Sequence, residues 1–140
     1  MIEPSLALQT ALNARLSSTP AVTALVAASQ IRTGSMRREQ LPSIIMSSPQ
    51  TENLGVVAST NHCLARVWLD LHIWALDAGG DMAKNIAFAV QNALRAPLTM
   101  VDCTLVPKTF EANIVRWVRD PNPDFAHGVL NVEAVLQWKP

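Results

Sequence analysis

Charge is scarce in this sequence. Charged residues make up 16% of the 140-residue chain, against roughly a quarter in an ordinary globular domain. Lys and Arg number 11 and Asp and Glu 11, so the formal net charge is zero. A dedicated nucleic-acid binder concentrates basic residues to meet phosphates, and this balance argues against one. Cysteine is nearly absent: Cys63 and Cys103 stand alone, far apart and without a CxxC. That excludes a disulfide framework and points to free thiols in a reducing compartment. No apolar run approaches the roughly 18 residues a membrane span requires. Met1-Ile2-Glu3-Pro4 has neither the basic nor the apolar region of a secretory signal, so none is expected. Phosphate loops are missing as well. Gly79-Gly80 is an isolated pair without GxGxxG spacing, and no serine sits in a nucleophile-elbow pattern.

Apolar residues, by contrast, reach 49%. A chain of this length makes one domain and buries about 68–70% of its unfolded surface without staples. With so little charge to cover the outside, part of the surface is expected to meet a partner. Composition therefore predicts a compact cytoplasmic or virion-type domain.

Periodicity orders the chain. Leu8, Leu12 and Leu16 recur every four residues with Leu6 beside them, and Pro4 suits a first turn; this predicts a helix that Ser17-Ser18-Thr19-Pro20 ends. A second short helix is expected over 21–27, with Thr19 as N-cap. Thr33-Gly34-Ser35 reads as a loop with Arg32, Arg37 and Arg38 around it. Leu41 to Met46 is strand-like, with Pro42 confined to its start or to an edge. Gln50 to Asn61 has no strong period and reads as a long mobile loop or an extended hairpin arm.

The clearest signal is His62 to Trp74. Ala65, Val67, Leu69, Leu71 and Ile73 fall on one face of a strand; Arg66, Trp68, Asp70, His72 and Trp74 fall on the other. Ala78-Gly79-Gly80-Asp81 ends it and starts a helix with Asp81 as N-cap. Met82, Ile86, Ala89, Val90, Ala93 and Leu94 form that helix's apolar stripe, and Pro97 follows its end. Strands are expected over 101–106, 110–119 and 127–138, with Asp120-Pro121-Asn122-Pro123-Asp124 as a rigid turn between the last two. The sum is an α+β domain: a mostly antiparallel β-sheet, with an N-terminal helix and one central helix packed on one face. The four tryptophans, Trp68, Trp74, Trp117 and Trp138, lie on these strands and are expected mostly in the core. Trp68 and Trp74 oppose the cleaner apolar face, however, so a second face also wants covering.

Chemistry is thin. His62, Cys63, His72, Cys103 and His127 show no metal-ligand spacing. Asp70 and His72 share one strand face and could form an acid/base couple; a salt-bridged pair at a protein interface is the plainer reading. His127 reads as a capping or loop residue. Asp120 and Asp124 suit Asx hydrogen bonding and offer too few oxygens for calcium. Arg32, Arg37 and Arg38 could meet phosphate, but read more simply as solvated or paired with Glu39. Arg116 and Arg119 flank Trp117, which suits a subunit contact with the aromatic as anchor; ordinary exposed strand charges are the alternative.

Taken in order, the chain resembles the tail-terminator (tail-completion, head–tail joining) proteins of long-tailed phages and gene transfer agents. The resemblance rests on the helix from Leu6 to Leu16, "TPAVTALV" at 19–26, "LPSIIM" at 41–46 and "ARVWLDLHIWAL" at 65–76. It continues through the Gly-Gly-Asp helix start and "IVRWVRDPNPDFAHGVLNVEAVLQW" at 114–138, with His127-Gly128 opening the closing strand. The order of elements carries it, since no catalytic signature is present. The resemblance implies a structural virion protein of the tail or neck, assembled in the host cytoplasm, with no enzymatic activity, no cofactor and no membrane. It implies a homo-oligomeric, hexameric ring that caps the tail tube, stops its polymerisation and docks onto the head connector or stopper protein. DNA would pass through the lumen without specific binding, in keeping with zero net charge.

On this reading the candidate subunit or tube interface is Arg66, Trp68, Asp70, His72, Trp74, Arg116, Trp117 and Arg119. Candidate loop contacts are Arg32, Arg37, Arg38 and Glu52. Two alternatives stand beside it: another neck protein such as a stopper or connector adaptor, and a small metal or acid/base enzyme using His62, Asp70 and His72.

Overall fold

The computed structural model describes residues 1–77 and 80–140. Along the chain run α1 (Pro4–Ser17), α2 (Pro20–Thr23), β1 (Ile31–Thr33), β2 (Ser43–Met46), β3 (Gln50–Val57), β4 (His62–Leu76), α3 (Asp81–Ala93), β5 (Thr104–Leu105), β6 (Val115–Val118) and β7 (Phe125–Trp138). The described strands join in one sheet, ordered β1-β2-β4-β7-β5, with β3 also on β4 and β6 also on β7. The fold is α+β and mostly antiparallel. The exception is β1, which runs parallel to β2.

Two long strands form the spine. β4 and β7 pair without interruption from Cys63↔Trp138 to Leu76↔Phe125. Each long strand lends its other edge to two short ones. β2 and β3 share β4, while β5 and β6 share β7. The segment read as a loop or an arm is thus strand β3, hydrogen-bonded to β4 with a bulge at Asn53/Gly55.

Alternation decides which face is buried. Val67, Leu69, Leu71 and Ile73 of β4 and Leu130, Val132, Ala134 and Leu136 of β7 are sealed beneath the helices. Leu8, Leu12 and Leu16 of α1 are fully buried against them, each contributing about 1.5–3 kcal/mol. Leu6, one residue off that stripe, is exposed. In α3 the buried stripe is Ala83, Ile86, Ala87 and Val90, whereas Met82 and Phe88 face solvent. Trp68 and Trp74 are half-buried on the face opposite the helices, as their alternation predicts, and Trp138 is half-buried against the core. Trp117 departs from the expected core and is exposed.

The helix ends are capped by residues that local pattern did not identify. Glu3, not Pro4, organises the start of α1: its Oε2 accepts hydrogen bonds from the Leu6 amide and the Ser5 hydroxyl. Burial raises the Glu3 carboxyl, but these bonds outweigh it and hold the pKa below the ordinary value. Thr19 sits at the N-cap of α2, yet its hydroxyl donates to the Arg15 carbonyl, and the helix stops at Thr23. The expected helix start at Ala78 and Gly79 lies outside the described residues. Gly80 occupies the N-cap position in a left-handed conformation with φ 75°, and Asp81 is the first helical residue. The capping carboxylate is that of Asp77, which accepts from the Met82 amide at 2.7 Å. At the other end of α3, the Arg15 guanidinium donates to the carbonyls of Ala93, Ala96 and Pro97 at 2.9, 2.9 and 2.7 Å. These are orphan or near-orphan acceptors that a cation suits.

β5 and β6 are shorter than their patterns suggest, whereas β7 begins two residues earlier, at Phe125. Only Thr104 and Leu105 of 101–106 and Val115 to Val118 of 110–119 pair as strands. Pro42 precedes β2 and takes no part in the ladder.

Candidate functional site

The face of the sheet away from the helices carries the polar and aromatic side chains. On β4 it presents Arg66, Trp68, Asp70, His72 and Trp74, each half-buried. Their cross-strand partners on β7 are Val135, Glu133, Asn131, Val129 and His127, and antiparallel partners share a face. Ile45 of β2, opposite His72, joins them. Ile45 and Val129 are almost completely buried here, under neighbouring side chains rather than under a helix. They make a small apolar base on the outer face.

Arg66 ties three strands together. Its Nη1 lies 3.4 Å from Glu52 on β3 and its Nε lies 3.3 Å from Glu133 on β7. The guanidinium also stands 5.9 Å from the Trp68 ring centroid, within cation–π range.

Asp70 and His72 do not pair with each other. Asp70 Oδ1 accepts from Asn131 Nδ2 at 3.0 Å, and His72 Nδ1 lies 2.8 Å from His127 Nε2. One ring nitrogen donates and the other accepts, as two neutral imidazoles of complementary tautomer allow. His127 is a strand residue and no cap. Its ring stacks on Trp74 at 3.7 Å with the planes 10° apart, and Phe125 meets Trp74 edge-on at 6.3 Å. Burial first, then the proximity of His72 and of Arg116, lowers the His127 pKa to about 4 against the opposing pull of Asp120.

The two arginine groups divide. Arg116 pairs with Val129 and so faces outward beside the histidines, whereas Trp117 pairs with Gly128 and lies on the opposite face. Gly128 has no side chain because Trp117 takes its place: a Cβ there would stand 2.7 Å from Trp117 Cζ3. Arg119 lies beyond the strand, exposed. These three residues therefore do not form one patch. Arg32 is spent on its own turn, donating to the carbonyls of Thr33 and Ser35. Arg37 is exposed, and Arg38 covers Phe125 at 5.5 Å.

His62 starts β4 and His72 lies ten residues along it, roughly 33 Å away at the rise of an extended strand. The trio His62, Asp70 and His72 is not gathered into one place. Phe125, His127, Asn131 and Glu133 were missed as members of this face. Their alternation was legible, but only the register with β4 shows which side chains they meet.

On the outer face, aromatic residues and arginine lie over a small apolar base, with charge at the margins. The fold occurs in virion proteins. A chain of the solved "Virion of native gene transfer agent (GTA) particle" superposes with a TM-score of 0.78 at 19% identity, covering 94% of this chain and 95% of that one. The bacteriophage SPP1 gp17 protein superposes with a TM-score of 0.56 at 20% identity, covering 94% and 89%. At such identities the likeness is one of fold. No protein of curated function matches the sequence significantly. The sequence of residues 10–137, however, matches the family model of Tail completion protein gp17, and the chain belongs to that family. It is a structural tail-completion protein of phage-type particles.

Proposed function

We propose that the chain assembles into a hexameric ring that caps the tail tube, stops its polymerisation and joins the tail to the head connector or stopper protein. The supporting observation is the two-faced sheet. Helices cover one side of β4 and β7. The other side holds Arg66, Trp68, His72 and Trp74 half-buried, with no helix or second sheet over them among the described residues. Half-buried aromatic rings on a chain of zero net charge suit contact with protein. This face serves as the contact to a neighbouring subunit or to the tube. A ring needs two different patches on each subunit, because only heterologous contacts close on a rotation axis other than a two-fold. The lumen passes DNA without gripping it, as a subunit without basic excess allows. The protein acts in the tail or neck of the particle after assembly in the host cytoplasm, and it catalyses no reaction.

Native mass spectrometry of the purified protein, over a range of concentration and ionic strength, tests this. A six-subunit species is the expected result. A dimer overturns the closed ring. A monomer under all conditions overturns a self-assembling ring and moves the chain towards an adaptor role elsewhere in the neck.

A further inference from the structure

The outer face carries a carboxylate and a guanidinium that nothing in the chain neutralises. No ion pair among the described residues contains Asp70 or Arg116. Asp70 lies in a recess of about 340 Å³, lined also by Ser47, Ser48, Gln50, Trp68 and Asn131. The sheet margin is notched there: β1 ends at Thr33, opposite Met46, and β3 begins at Gln50, opposite Trp68. Between them only residues 47–49 flank β4, so the recess lies about 5 Å, one strand's width, from that margin. Arg116 stands at the other margin, exposed on β6, which pairs with β7 alone. Ile114, 68% exposed, and Val118, 39% exposed, lie two positions to either side of it. Register sets the two charges nearly level. Arg116 pairs with Val129 and Val129 with His72, two residues along β4 from Asp70, a step of about 7 Å.

The recess is built to accept donors. Asn131 Nδ2 donates to Asp70 Oδ1 at 3.0 Å, and the Ser47 hydroxyl accepts from the Asp70 amide at 2.8 Å. The carboxylate is therefore set in place before a partner arrives, which lowers the ordering cost of binding. The hydroxyls of Ser47 and Ser48 and the amide oxygen of Gln50 add acceptors around it. A guanidinium, with five donors in one plane and no acceptor, fits such a lining. Charge selects the same occupant. Glu52 and Glu133 share Arg66, so with Asp70 this part of the face holds three carboxylates to one guanidinium and draws a further cation.

We infer that the Arg116 guanidinium of one copy enters the notched recess of the next and pairs with Asp70, with Ile114 and Val118 packing beside it. This rests on the ring reading above and supplies its heterologous subunit contact: two different patches, at opposite margins of one face, which repeat around an axis.

Two charge-reversed variants of the full chain test it, D70R and R116D, and circular dichroism melts verify that each folds. Should D70R not fold, Asp70→Asn keeps an acceptor for Asn131 and takes its place in the single-variant comparison. Native mass spectrometry over a concentration series is expected to show either variant alone assembling only at concentrations at least about tenfold above those of the wild type. An equimolar mixture of D70R and R116D is expected to restore a six-subunit species with three chains of each kind. Every contact between unlike variants then joins opposite charges, while contacts between like variants set equal charges together. A variant that assembles like the wild type overturns the Arg116–Asp70 contact and leaves the ring standing. A mixture that fails to reassemble, or that assembles in all proportions, also overturns it. A wild type that is monomeric or dimeric throughout overturns the ring reading and this contact together.

Discussion

The indole of Trp74 and the imidazole of His127 lie face to face, 3.7 Å apart and 10° from parallel. They belong to neighbouring strands separated by most of the second half of the chain, and their register pairing makes the stack. Through its Nε2 the same ring is hydrogen-bonded to Nδ1 of His72, across 2.8 Å. The outer face is thus a joined aromatic and histidine surface, and it gives the fold a dependence on pH.

His127 has a folded pKa of about 4, against 6.5 for an unperturbed histidine. Above pH 6.5 both folded and unfolded chains hold it neutral. Between 6.5 and about 4 the unfolded chain binds the proton and the folded chain does not, so stability falls as pH falls through that window. Thermal melts from pH 7.5 to 4 should show this decline, and His127→Gln should flatten it. A wild type and a variant with the same pH slope would remove His127 as its cause.

Gly128→Ala places a methyl group where Trp117 now packs. Overpacking of this kind costs about 1–3 kcal/mol, and the exposed indole must swing outward. Urea unfolding should register the loss, with a red shift of tryptophan emission in the native state. An unchanged midpoint would mean that Trp117 does not rest on the strand in solution.

Leu12→Ala and Leu6→Ala separate the two sides of α1. Leu12 is fully buried, so its truncation should cost about 2–5 kcal/mol. Leu6 is 53% exposed, and its loss should stay within about 0.5 kcal/mol. Equal midpoints of chemical unfolding for the two variants would contradict the packing of this helix.

Trp68→Ala addresses the outer face without touching the core. The fold should persist, and association should weaken at least about tenfold if Trp68 anchors a contact. Native mass spectrometry together with pelleting on purified tail tubes separates the roles. A surviving ring that no longer binds tubes assigns the face to the tube, and dissociated rings assign it to the neighbouring subunit. Unaltered behaviour in both assays removes Trp68 from the assembly surface.

The cysteines illustrate how far sequence reading goes. Cys63 and Cys103 are free thiols, as their spacing predicts. Only the structure distinguishes them, burying Cys103 near Asp102 and Glu3. Burial, and then those two carboxylates, raises its thiol pKa. The arm is a similar case: Gln50 to Val57 lacks a buried face, so no period marks it as a strand. It forms one because β4 extends past the core and offers a free edge.

Sequence by itself determined the elements that bury one face against one layer. A leucine every fourth residue in α1 and strict alternation along β4 are consequences of helical and extended geometry, and each is complete within its own segment. The α+β class followed from their order. Tertiary structure alone decided what depends on register between distant segments. Pairing β4 with β7 gave Asp70 to Asn131, joined His72 to His127, and set Trp74 on an imidazole. It also put Arg116 and Trp117 on opposite faces. A strand's own residues state which of them share a side; only the neighbouring strand's offset states whom they meet.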